Sequence, residues 1–164
     1  MLPNLSPILC AVDLTSTSEP VLAGATALAR GLGAPLHVVH AVEPLNQTGR
    51  AMLTNVLGED EFKRHAETVA TAQAQALDEL VASFVERHLP GAGPEEVVAG
   101  RHVEHGRPAN AILDAATRLG AGLIVLGLQR HSRLTRIMVG SVAQHVVSSS
   151  PLPVVLVPLV IDEM

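Results

Sequence analysis

Three stretches of this chain are apolar without a break: Ile8-Leu9-Cys10-Ala11-Val12, Leu123-Ile124-Val125-Leu126 and Val154-Val155-Leu156-Val157. A fourth, Leu36-His37-Val38-Val39-His40-Ala41-Val42, is broken only by two histidines. A strand with one wet face alternates apolar and polar residues. A continuous apolar run of this length suits a strand buried on both faces, which is the situation in a parallel sheet sandwiched by helices. Helical spacing fills the intervals. Val21, Ala25, Leu28 and Leu32 recur along the first helix, which the glycines at 31 and 33 close. Ala66, Val69, Ala70, Leu77, Leu80, Val81 and Phe84 make one stripe of a long second helix over Glu59–His88. Ala109, Ile112, Leu113, Ala116 and Leu119 line a third, and a fourth runs over Ser141–Ser149. Residues 97–105 read as a less apolar strand, expected at a sheet edge, and residues 45–58 as a loop with one helical turn. The order βαβαβαβαβ makes residues 1–164 a single α/β domain with a five-stranded parallel sheet and helices on both faces.

Composition narrows the function. Hydrophobic residues make up 48% of the chain, yet it holds two Phe and no Trp or Tyr. The core is therefore aliphatic, and no aromatic platform exists on which bases could stack. The net charge of −5 provides no cationic surplus for phosphate backbones, so no nucleic-acid partner is expected. Cys10 is the sole cysteine, which precludes a disulfide within the chain and fits a reducing compartment. There is no basic, apolar leader, and no apolar run approaches the ~20 residues that cross a bilayer. The expectation is a cytoplasmic protein without membrane contact.

The chemistry concentrates after the strand at residues 123–126. Gly127 is expected to end that strand. A basic loop with Arg130, His131, Arg133 and Arg136 follows, and Gly140-Ser141 opens a helix. Free backbone N–H groups and the helix dipole make such an end attractive to phosphate. Gly140 permits close approach, and Ser141 is expected to cap the helix and to donate to a phosphate oxygen. Asp13 ends the first strand, before the cap-rich stretch Leu14-Thr15-Ser16-Thr17-Ser18. His40 reads either as a strand-end histidine bonded locally or as a ligand contact. The pattern Gly-x4-Gly-Lys-Ser/Thr is absent. His102 and His105 lie three apart on a strand and so face opposite ways, which speaks against a shared metal.

The spacing Gly127-x2-Arg130-x9-Gly140-Ser141 resembles the nucleotide loop of the universal stress protein family, Gly-x2-Gly-x9-Gly-Ser/Thr, with Arg130 at the second glycine. Arg133 stands where another glycine is common in that family. The resemblance extends over nearly the whole chain and implies a Rossmann-like, doubly wound sheet of strand order 3-2-1-4-5. It implies a site for ATP or AMP, with Mg2+ accompanying ATP. Asp13 would accept from adenine or ribose, and Ala41 and Leu126 would offer backbone groups and apolar walls to the base. Gly127, Gly140, Ser141 and Val142 would surround the ribose and phosphates, with Arg130 as a charged donor beside them. The family also implies a homodimer, and an apolar edge of Val154, Val155, Leu156 and Val157 fits that role. The expected protein is a nucleotide-binding stress or signalling dimer with slow hydrolysis at most. The alternative is a dimeric interaction protein in which Arg130 has displaced the nucleotide.

Overall fold

The computed structural model describes residues 1–131 and 139–161, apart from the side chains of residues 130, 131, 160 and 161. The elements follow as β1 (Ile8–Ala11), α1 (Ser18–Leu32), β2 (Leu36–Val42), α2 (Gln47–Leu57), α3 (Glu59–His88), α4 (Pro94–Val97), β3 (Gly100–His105), α5 (Pro108–Arg118), β4 (Leu123–His131), α6 (Ser141–Ser149) and β5 (Val154–Ile161). All five strands are parallel, in the order β3-β2-β1-β4-β5. This is the doubly wound sheet that the apolar runs and the family resemblance predict.

Successive strand residues feed opposite layers. Ile8, Cys10, Leu36, Val38, Leu123 and Val125 pack against α1 and the carboxyl-terminal half of α3. Leu9, Val39, Ile124 and Leu126 pack against α5 and α6. The continuous apolar runs thus serve both faces at once. Each fully buried Leu or Ile here contributes roughly 1.5–3 kcal/mol by leaving water. Cys10 sits at the centre of β1, 0% exposed, where burial pushes its thiol up to about 12.

Several elements depart from the sequence reading. Of the strand expected over residues 97–105 only Gly100–His105 is strand, because Pro94 at the helix start and the acidic first turn of Glu95 and Glu96 favour the short helix α4 up to Val97. Residues 47–57 form a regular helix, α2, rather than a loop; the Asn46 side chain caps it by accepting from the Gly49 amide at 2.7 Å. The helix buries no residue, and Met52 and Val56 are 69% and 73% exposed, so no periodic apolar face announces it. Of the expected α3 stripe, Leu77, Val81 and Phe84 are buried, joined by Val85, whereas Val69 is exposed and Ala66 and Ala70 are not in the core. Finally, β4 does not stop at Gly127, nor β5 at Val157. The two strands continue paired from Gly127↔Val157 to His131↔Ile161. Gly127 allows this through packing: a Cβ there would stand 2.8 Å from Leu159 Cδ1 and 2.9 Å from Val21 Cγ2. Glycine lets the strand pass between helix and neighbour without halting it.

Candidate functional site

β1 and β4 are adjacent, with Cys10 opposite Val125, so the chain leaving β1 runs beside the continuing β4. Winding reverses here, and in open α/β sheets such a reversal leaves a crevice at the carboxyl ends of the strands. A cleft of about 370 Å³ occupies that place, within the usual size of a small-molecule site.

Its first wall is the turn after β1. Asp13 Oδ1 accepts from the Thr15 amide at 3.0 Å, the Thr15 hydroxyl at 2.6 Å and the Ser18 hydroxyl at 2.9 Å. Ser18 is only 1% exposed, so this last bond ties the turn to the buried start of α1. The bonds hold Leu14 at φ 61°, a left-handed conformation that a side chain with a Cβ adopts only at a cost. Burial raises the Asp13 carboxyl, but the bonds from Thr15 and Ser18 outweigh it and leave the group below the usual carboxylate range. Asp13 is therefore ionised at neutral pH. Among the described residues its other oxygen, Oδ2, accepts no hydrogen bond, and it remains available to a donor in the cleft.

The facing wall is the start of α6. Gly140 is the cap residue, in an extended conformation, and makes no side-chain cap bond. Ser141 is the first helical residue rather than the cap, a shift of one position from the sequence reading. Its exposed hydroxyl is spared for the cleft. An added Cβ at Gly140 meets no atom of the described residues within 4 Å, so these do not crowd the position. Among the described residues no side chain caps the first-turn N–H groups, which concentrate positive potential at this end.

His40 and Ala41 come from the end of β2. His40 Nδ1 lies 2.9 Å from the Val12 carbonyl; since a carbonyl only accepts, Nδ1 donates this bond. The ring makes the local bond and lines the cleft as well, so the two sequence readings are not exclusive.

Seven of the eight residues singled out from sequence line this one cleft: Asp13, Ala41, Leu126, Gly127, Gly140, Ser141 and Val142. For the eighth, Arg130, the backbone continues β4 opposite Val160, and the side chain lies outside the described residues, as do Arg133 and Arg136. Sequence reasoning missed Thr17, Ser18, Gln129, Pro108 and Leu159. The first two stood in the cap-rich stretch and were readable only as caps. Gln129 and Leu159 line the cleft because β4 and β5 run on past Gly127, for which the sequence carried no local signal.

Comparisons with known proteins agree with this architecture. Over 150 residues the chain is 34% identical to the universal stress protein in the QAH/OAS sulfhydrylase 3′ region of Thermus aquaticus, spanning 92% of this chain and 96% of that one. The structure of a universal stress protein from Archaeoglobus fulgidus matches with a TM-score of 0.59 at 26% identity, covering 93% of this chain and 98% of the other. The structure of the Archaeoglobus fulgidus universal stress protein in complex with dAMP matches with a TM-score of 0.54 at 26% identity, covering 93% and 97% of the two chains. Residues 4–158 match the universal stress protein family as a whole. With that match running from the N-terminal arm into β5, the chain belongs to the universal stress protein family.

Proposed function

We propose that the cleft binds an adenine nucleotide, ATP or AMP, and that its occupancy signals a cellular state to partners of a dimeric protein. One observation carries the reading: an ionised acceptor, Asp13, and the helix start at Gly140-Ser141 line the same cleft. Asp13 suits the donors of a ribose or an adenine, and the α6 end suits phosphate. The dAMP complex of the Archaeoglobus fulgidus relative supports the ligand class. Mg2+ would accompany ATP. Asp13 is a weak base because its carboxyl holds protons poorly, so hydrolysis is slow at most and the nucleotide acts as a signal.

The dimer would form on β5. It is the outer strand of the sheet, and Val154, Val155, Leu156 and Val157 are all half-buried along it. Val139 and Val147 add exposed apolar surface around Leu156. Two-fold pairing of this edge would cover it without open-ended growth. No helix among the described residues is long and apolar enough to cross a membrane. A cytoplasmic location belongs to the same reading and rests on the lone cysteine.

Calorimetry with AMP and with Mg-ATP tests the ligand. Wild type should bind, with Arg130→Ala and Ser141→Ala each losing affinity. Arg130→Gly should lose little or gain, because backbone N–H groups can then approach the phosphates. The second reading, an interaction protein without nucleotide, is favoured by Arg130 at a glycine position. It wins if wild type binds nothing at millimolar nucleotide and Arg130→Gly binds.

A further inference from the structure

At the opposite end of the sheet from the cleft, the β2–β3 pair brings two histidines together across 65 residues of sequence. Register sets His37 beside Gly100 and Val39 beside His102, so both rings stand on the face covered by α5. His37 Nδ1 and His102 Nε2 are 3.1 Å apart, with ring centroids at 5.3 Å and planes inclined by 33°. Gly100 makes the room. A Cβ there would stand 2.6 Å from His37 Nδ1 and 2.8 Å from His102 Nε2, so any other residue would drive the two nitrogens from their meeting point.

Two imidazole nitrogens at this spacing can share a proton or hold a metal. Bonds of about 2.0–2.1 Å to a metal at a cis or tetrahedral angle place the nitrogens roughly 2.9–3.4 Å apart, and the observed span falls inside that range. Burial lowers the pKa of both rings, and at His102 the neighbouring His37 and Arg118 lower it further while Glu104 opposes them. Arg118 is ion-paired with Glu104. Among the described residues no third His, Cys, Asp or Glu completes a cluster, so water would fill the other positions.

We propose that His37 and His102 chelate a divalent transition metal of imidazole preference, Zn2+, Ni2+ or Cu2+, and that the metal ties edge strand β3 to β2. The site is independent of the nucleotide cleft.

Zn2+ is the probe. Calorimetry on the full chain should report a site that His37→Asn and His102→Asn each weaken roughly tenfold or more. His65→Asn, on the exposed face of α3, should leave it intact. Zn2+ should also slow hydrogen exchange in wild type over residues 36–42 and 100–105, a readout that needs no variant to fold. Equal Zn2+ affinity in wild type and both single variants overturns the proposal. So does slowing confined to segments away from β2 and β3, or no binding at millimolar Zn2+.

Discussion

The two edges of the sheet are built from opposite materials. On β3, Arg101 is 22% exposed and reaches Asp78 at 3.3 Å and Glu95 at 3.0 Å, Glu104 pairs with Arg118, and His102 meets His37. On β5 the four residues Val154, Val155, Leu156 and Val157 carry no charge at all. Both edges present unpaired backbone groups of the same kind. A charged edge discourages a second strand, because pairing would strip water from ions. An apolar edge gains from being covered. The proposed dimer would therefore have a preferred edge, β5, that the nearly symmetric topology would not dictate.

The largest effect that can break this contrast is expected at β5. Leu156→Asp places a carboxylate in the proposed dimer seam, and light scattering should report a monomer or an insoluble protein. A wild type that is already monomeric at tens of micromolar would end the argument from the apolar edge. Charge reversal at the other edge should act on stability and leave the mass alone. Arg101→Glu puts a third carboxylate beside Asp78 and Glu95 and should cost on the order of 1 kcal/mol. For a domain of this size that lowers Tm by about 2–4 °C.

Asp13, between the edges, is a control that should disturb neither. Its folded carboxyl lies below the ordinary value, so the unfolded chain takes up the proton first as pH falls. The stability it adds is complete above about pH 4 and is lost as pH drops through the depressed folded value. Asp13→Asn should flatten that part of the stability–pH curve in denaturant titrations and leave the mass unchanged. The smallest effect belongs to the Arg118–Glu104 pair, half-exposed on the guanidinium side. A double-mutant cycle with Ala at both positions should give a coupling of about 0.2–1 kcal/mol that shrinks in salt. A much larger coupling would mean that the β3 edge is held by its ions and not merely shielded by them.

What was legible in the sequence was whatever burial writes into a pattern. Ile8 to Val12 and Leu123 to Leu126 must fill two layers, so they are apolar throughout, and the fold class followed from them. The cleft residues were legible for different reasons: Asp13, Gly140 and Ser141 sit just past a strand and at a helix start, where residue type is tied to local backbone chemistry, whereas Gly127 was legible from the loop spacing and lies inside β4. Where nothing is buried, nothing is written. Met52 and Val56 face solvent, and α2 stands on a local cap, on helix propensity and on a partly exposed contact with the start of α3, where Arg50 lies over the Phe62 ring. The extension of β4 through Leu128 and Gln129 is imposed by its partner β5, and a tertiary constraint of that kind overrides the local sequence. The His37–His102 pair was invisible because register across two strands, not spacing along one, creates it.

The position of Cys10 gives the protein a clock of its own. The only thiol in the chain lies at the middle of the central strand with none of its surface open, and its ionisation is displaced to about 12. A thiol reagent attacks the thiolate, so the native molecule presents it with no target. Labelling must wait for Cys10 to be uncovered, an event that lifts the layer of α1 and α3 from the sheet. With excess reagent, the labelling rate then counts openings of that layer rather than local fraying. Nucleotide, Zn2+ or dimerisation, each acting at a different border of the sheet, would all be timed by the same residue at its centre.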